Sequence, residues 1–301
     1  MNAPESRDSL LRFLLPAAGV RGVHVALDET WTGLLAHAHY PPAIRELLGE
    51  ACAAAALFTG HTKVDGRLSI QLRADGDPLS TLFAECTADG QIRGIARHAP
   101  QADIARDLRR LGEHALLAIT IENPGLDPRE PQRYQSLVEL ASPSLSEAFQ
   151  AYFLQSEQLP TRLLLAADGT QARGLLLQKL PGDAGDADGW NRIGTLFDTL
   201  DEHELLAVAA GALVHRLFHE EDPRLLGTRP LRFGCSCSRE RVADVLRSLG
   251  EDEARQAAAA TGGVVEVRCE FCGQQYRFPG DELPALFSSR VAHAAPPAHL
   301  Q

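Results

Sequence analysis

"FGCSCSRERVADVLRSLGEDEARQAAAATGGVVEVRCEFCGQQYRF" (Phe233–Phe278) holds four of the six cysteines in the chain, one pair as C-x-C and the other as C-x-x-C. In the second pair two intervening residues let both sulfurs reach one tetrahedral ion, and Gly273 can take the positive φ that turns backbone N–H groups toward sulfur. The flanks "VVEV" and "QYRF" are strand-like, which predicts a β-hairpin with this knuckle at its tip. Between the pairs, Ser238 is a candidate N-cap and Val242, Val245, Leu246 and Leu249 mark one helical face. Gly250 stops that helix, "EDEARQAAAA" begins another, and "TGG" ends it. Two close pairs separated by a few tens of residues predict a four-cysteine zinc site of Cys235, Cys237, Cys269 and Cys272, since Zn2+ favours thiolates and structural sites are closed. The C-x-C half is tighter than a structural ribbon requires. It makes a small, strained disulfide ring possible, and zinc keeps sulfur in the thiolate form that an oxidant attacks.

The rest of the composition sets the frame for that segment. A chain of 301 residues with 45% hydrophobic residues can build one large domain and a smaller one. The apolar run near the N-terminus is interrupted by Arg12 and Pro16 and is too short for a signal segment or a membrane span, so a cytoplasmic location is expected. In that reducing compartment paired cysteines serve as metal ligands or redox groups rather than structural staples. The net charge of −11, with no basic surplus in the cysteine-bearing segment, argues against nucleic acid as a partner. Cys52, on an alanine-rich helix, and Cys86, within a strand, read as core residues.

Upstream, Gly22–Glu29, Gly66–Asp75, Leu79–Asp89 and Gln91–His98 alternate with the period of half-buried strands, punctuated by Asp-Gly turns that favour antiparallel pairing. Ala115–Asn123, Arg162–Asp168 and Ala172–Leu180 add further strands. Residues 41–60 and 142–158 have helical spacing, the second with Ser142 or Ser144 as cap. The expected class is α+β: a mixed core domain with antiparallel-type sheets over 1–180, a helical linker over 181–230 and a small four-cysteine zinc domain over 231–301. Pro181–Arg192 is the clearest break; as a calcium loop it would put Ala184 and Thr195 at the first and last ligand positions, and neither brings a carboxylate. Residues 201–222 read as one helix, capped by Asp201 and apolar over more than a narrow stripe, so it needs a partner surface. His215 and His219 lie one turn apart near its polar end, with no third metal ligand at diagnostic spacing.

The chain resembles the heat-shock protein 33 family. The resemblance rests on "RFGCSCSRERV" with "VVEVRCEFCGQQYRF", on "AYFLQSEQLPTRLLLA", on "ARGLLLQKLPG" and on "GRLSIQLRADG", "LFAEC" and "IRGIAR", and so covers nearly the whole chain. It implies an ATP-independent holdase chaperone of the bacterial cytoplasm, inactive while its zinc is bound. Peroxide or hypochlorous acid under unfolding conditions forms two disulfides, expels zinc and unfolds the switch and linker. The apolar surfaces so exposed bind unfolding client proteins, the active form being a homodimer. By motif match Cys235, Cys237, Cys269 and Cys272 are both zinc ligands and redox-active thiols, paired Cys235–Cys237 and Cys269–Cys272 on oxidation. Loops that short constrain the unfolded chain very little, so oxidation removes the zinc clamp and supplies no other. This chain departs from the family in the alanines of "EARQAAAA", where larger aliphatics are usual, which leaves its switch less packing.

Two other uses of four cysteines stand beside this one. A zinc-ribbon adaptor for nucleic acid or a transcription partner would want a basic patch. A thiol oxidoreductase would place its C-x-x-C at a helix N-terminus, whereas "CEFCG" lies between strand-like flanks. No G-x-x-x-x-G-K-[ST] phosphate loop occurs, and neither a hydrolytic triad nor any other enzymatic activity is expected. Glu157, at the end of an amphipathic helix, reads as a capping or hydrogen-bonding residue.

Overall fold

From Leu47 to Phe58 the only polar side chain is Glu50, and a helix that apolar on every side has to lie inside. Helix α2 (Pro42–His61) does so: Ala51 to Leu57 are fully buried, and the helix touches strands of two different sheets. The computed structural model describes residues 7–74, 79–99, 106–112, 114–125, 130–182 and 185–288. They fall into two compact units, Met1–Gly234 and Cys235–Gln301.

The first unit is the helix α2 and what closes around it. One sheet has the strand order β10-β1-β2-β9-β8, formed by β1 (Ser9–Leu15), β2 (Val20–Leu27), β8 (Thr161–Ala167), β9 (Ala172–Lys179) and β10 (Arg224–Pro230). The other has the order β11-β5-β4-β3-β6-β7, from β3 (Arg67–Arg73), β4 (Leu79–Thr87), β5 (Gln91–His98), β6 (Leu116–Asn123), β7 (Gln132–Val138) and β11 (Arg232–Phe233). Every pairing is antiparallel except that of β11 with β5, which is the α+β arrangement expected from the short turns. The two sheets approach α2 closely where they carry glycine: a Cβ on Gly94 of β5 would stand 2.8 Å from Cys52 Sγ, and one on Gly174 of β9 would stand 2.6 Å from Leu57 Cδ1. Helices α1 (Glu29–Leu35) and α3 (Leu145–Tyr152) complete this layer, with Ser144 as the N-cap of α3.

The β10-to-β8 sheet is covered on its other face as well. Helices α4 (Gly189–Phe197), α5 (Glu202–Ala207) and α6 (Ala210–Phe218) form a second core there, in which Phe13 packs on Phe218 and Leu11, Leu175 and Leu177 meet Leu205, Leu213 and Val214. Burial on both faces explains why β9 reads "GLLLQ" instead of alternating.

The structure corrects the linker. Residues 201–222 are not one helix: Val208 and Ala209 are extended, so α5 and α6 are separate short helices, each able to lay its own apolar side on the sheet. Asp201 caps α5 as expected, its carboxylate accepting from the Glu204 N–H at 2.7 Å. Residues 224–230 are not helical either; they extend as β10, bracketed by Pro223 and Pro230 and bulged at Leu226, because the free edge of β1 offers them backbone partners. Residues 183–184 of the Pro181–Arg192 loop lie outside those described. Glu157 ends a π turn (Phe153–Glu157) exposed to solvent, and Gln158, at φ 55°, turns the chain in place of a cap.

The second unit contains α7 (Arg239–Leu249), α8 (Glu251–Ala260), a hairpin of β12 (Val264–Arg268) and β13 (Gln275–Pro279), and α9 (Leu283–Ser288). Its buried core is Val242, Ala243, Leu246, Ala254, Ala258, Val265, Phe278 and Leu283, to which α8 contributes only two alanines. Arg239 lies over the Phe278 ring, 4.3 Å from its centroid, and is held there by Glu282 and the Arg277 carbonyl.

Candidate metal centre

The four clustered cysteines are positioned by a helix cap, an arginine and a hairpin tip. Cys235 and Cys237 leave the chain just before Ser238, whose hydroxyl accepts from the Arg241 N–H and caps α7. Arg241 then donates to the Ser236 carbonyl at 2.7 Å, which fixes the residue between the two thiols. Cys269 and Cys272 occupy the tip of the β12–β13 hairpin, closed by Gly273 N–H donating to the Cys269 carbonyl at 2.9 Å and Cys269 N–H donating to the Gln274 carbonyl at 2.9 Å. Gly273 has the φ of 68° that the sequence required of it.

All four sulfurs lie within 4.8 Å of one another. The short approaches run between the two motifs: Cys235 Sγ to Cys269 Sγ is 3.7 Å, and Cys237 Sγ to Cys272 Sγ is 3.3 Å. Sulfurs about 2.3 Å from a tetrahedral zinc stand about 3.8 Å apart, so this donor set fits a single thiolate-bound ion. It is the only group of three or more candidate ligands among the described residues. His215 and His219 are not part of it; they stack on each other at 5.6 Å, exposed on α6 and just past its end.

Electrostatics at the site are uneven. Burial pushes the Cys272 and Cys235 thiols up. Cys237 goes down, because the hydrogen bonds it receives outweigh burial, first among them one from the Tyr276 hydroxyl at 3.1 Å. That bond in turn pushes the Tyr276 phenol up to about 12. Tyr276 is the residue that the reading of the sequence passed over. Its signal was the alternation of "QYRF", which puts Tyr276 and Phe278 on one face of β13 just beyond Cys272.

The other two cysteines are where the sequence placed them. Cys52 and Cys86 are fully buried in α2 and β4, and burial pushes both thiols up, that of Cys86 to about 11. They are inert by the same physics that makes an exposed thiolate reactive.

Comparison with known proteins places these features in a family. The family model described as Hsp33 protein matches residues 8–279. The chain belongs to the Hsp33 family. The 33 kDa chaperonin of Ectopseudomonas mendocina (strain ymp) is 45% identical over 289 residues, covering 94% of this chain and 96% of that protein. The 33 kDa chaperonin of Azotobacter vinelandii (strain DJ / ATCC BAA-1303) is 45% identical over 287 residues, covering 93% and 95%. The crystal structure of the 33 kDa chaperonin (heat shock protein 33 homolog) from Thermotoga maritima shares the fold, with a TM-score of 0.75 at 19% identity over 95% of this chain and 99% of that one. Hsp33 is a family of chaperones and not of enzymes, and a chaperone's partners are unfolded client proteins. Among the described residues no helix is long and apolar enough to cross a membrane.

Proposed function

We propose that this Hsp33 is a redox-regulated, ATP-independent holdase. Cys235, Cys237, Cys269 and Cys272 hold one zinc ion in the reduced form and are also the redox-active thiols. The observation that carries the reading is the convergence of four sulfurs in a unit whose buried core, among the described residues, is only eight residues, three of them alanine. Zinc bound there supplies the charge that keeps the sulfurs as thiolates and contributes about 10–16 kcal/mol of apparent folding energy, more than so small a core provides.

The remaining chemistry belongs to the chain. Two thiolates give two electrons to one peroxide, the O–O bond breaks, one S–S bond forms, and two protons from solvent complete two waters. Repeated at Cys235–Cys237 and Cys269–Cys272, this removes all four donors, and the ion leaves. Rings that small restrain the chain too little to replace the clamp. The division into a core over 1–180, a linker over 181–230 and a switch over 231–301 follows the same logic. Loss of the switch frees the linker that begins the route to it, and departure of α4–α6 bares Leu11, Phe13, Leu175 and Leu177. That face is apolar apart from His24 and indifferent to sequence, which suits unfolding clients. A cytoplasmic setting under oxidative stress, a homodimeric oxidised form, and the absence of nucleic-acid or membrane partners complete the reading.

Light scattering from a thermally unfolding client protein tests it. Zinc-loaded, reduced protein should leave aggregation unchanged, and protein treated with peroxide at elevated temperature should suppress it. Zinc and free thiols counted on the same samples should fall together, one ion for four thiols. Equal suppression by both samples would rule the switch out.

A further inference from the structure

Among the hydrogen bonds around the four sulfurs is one from a side chain that is not itself a ligand. Tyr276 stands on β13 directly opposite Val267 of β12, and its half-buried ring packs against the small core of the second unit. Its hydroxyl donates to Cys237 Sγ at 3.1 Å. A hydroxyl that donates to sulfur draws on the lone pair with which that sulfur attacks an electrophile. The bond also spans the two motifs, since Cys237 precedes α7 and Tyr276 follows the hairpin tip. It therefore exists only while the unit is folded.

We infer that Tyr276 is a positioning residue that restrains the oxidation of Cys237 in the folded unit, so that this sulfur reaches full reactivity only when the hairpin separates from α7. The inference rests on the redox reading given above and adds a residue to it. In the step concerned, Cys237 thiolate forms an S–O bond with one oxygen of a peroxide as the O–O bond breaks, giving a sulfenic acid and hydroxide. A second thiolate then displaces hydroxide to form the S–S bond, and two protons taken up from the buffer turn the two hydroxides into water. Only the first half of this step needs the lone pair that the Tyr276 hydroxyl engages.

Tyr276→Phe keeps the ring and its packing and removes the hydroxyl alone. The measurement is the rate at which each cysteine of the full-length, zinc-loaded protein is lost to peroxide, followed by differential alkylation and mass spectrometry. Cys237 should react roughly fivefold faster in Tyr276→Phe, about 1 kcal/mol at 1.36 kcal/mol per decade, with the other three cysteines within about twofold of the parent protein. Val267→Ala, which loosens the hairpin without touching the hydroxyl, should accelerate all four together. In protein loaded with cobalt(II), Tyr276→Phe should also shift the sulfur-to-metal charge-transfer band, a change that looser packing alone would not give. Replacing Tyr276 with 3-fluorotyrosine, a stronger donor of the same shape, should slow Cys237 instead. An unchanged Cys237 rate in Tyr276→Phe, or a uniform rise at all four cysteines, overturns the role of Tyr276 and leaves the redox reading standing. Parent thiols that survive peroxide with zinc in place overturn the redox reading, and this inference with it.

Discussion

The two compact units bury thiols for opposite ends. In the first, Cys52 and Cys86 sit fully enclosed between α2 and the sheets, in a core fed by most of the strands. In the second, Cys235, Cys237, Cys269 and Cys272 are only half-buried, beside a core of eight residues. A thiol inside a large core stays protonated, because charging it there is costly, and it acts as a small hydrophobe. A thiol at the margin of a small core can be a ligand, and the fold then depends on what it binds. The difference teaches that, on the proposed reading, the chain divides stability from responsiveness by domain size: one unit stands on packing, and the other would stand on four sulfurs.

The largest effect that would break this contrast is metal removal. Stripping the ion with a chelator should abolish amide protection over 235–288 while α2 keeps its protection, since about 10–16 kcal/mol is withdrawn from one unit and nothing from the other. Hydrogen exchange followed by mass spectrometry reads both units in one experiment. Protection that persists in the second unit would mean that its core suffices. Next come matched truncations of two buried aromatics, Phe278→Ala in the second unit and Phe149→Ala in the first. Each should cost about 3–5 kcal/mol. The first should cut zinc affinity measured by chelator competition, and the second should lower the melting temperature of the large unit and leave zinc untouched.

A smaller effect concerns pH and the first unit alone. His24 lies on β2 between Leu11 and Leu175, on the face that α4–α6 cover, fully buried with neither ring nitrogen hydrogen-bonded. Burial, aided by Arg173, pushes it down to about 3. A base whose pKa is lowered by folding takes its proton more readily in the unfolded chain. The native state is therefore favoured above about 6.5 and loses ground as pH falls from there toward 3; at pH 5 the loss is about 2 kcal/mol. His61, pushed down to about 3 by burial, adds to this, while Glu50, pushed up to about 7 by burial, opposes it. The informative quantity is thus the difference between parent and His24→Leu: the variant's melting temperature should fall less between pH 7 and pH 5. The smallest effect is Ser238→Ala, which removes the cap of α7 and should cost the second unit about 1 kcal/mol, seen as an earlier melt of that unit.

Much of this molecule was legible in its sequence, and the exceptions share a cause. The knuckle, the cap at Ser238, the stop at Gly250 and the central strands are local decisions, made by residues within a few positions of one another. Strands β1 and β7 were not read as strands. The first runs Leu10-Leu11 and Phe13-Leu14-Leu15 with a single polar break at Arg12 and so does not alternate, and the second is an outermost strand whose exposed Tyr134 and Leu137 give it no inside and outside. Strand β10 and the break at Val208–Ala209 were missed because distant partners decide them: the open edge of β1 in one case, the sheet face that α5 and α6 each pack on in the other. At the site, the grouping of the four cysteines followed from spacing, whereas the bond from Tyr276 to Cys237 joins residues 39 positions apart and had to be seen.

The glycines that let both sheets close on α2 leave the first unit no slack. With Gly94 and Gly174 already at the limit of approach, the sheets cannot tighten there on α2 to swallow the surface that a departing helical layer would bare. A softer scaffold would heal such a wound by folding over it. On the proposed reading this one would keep it open, and a surface that stays raw until something foreign covers it is what a protein that catches other chains requires.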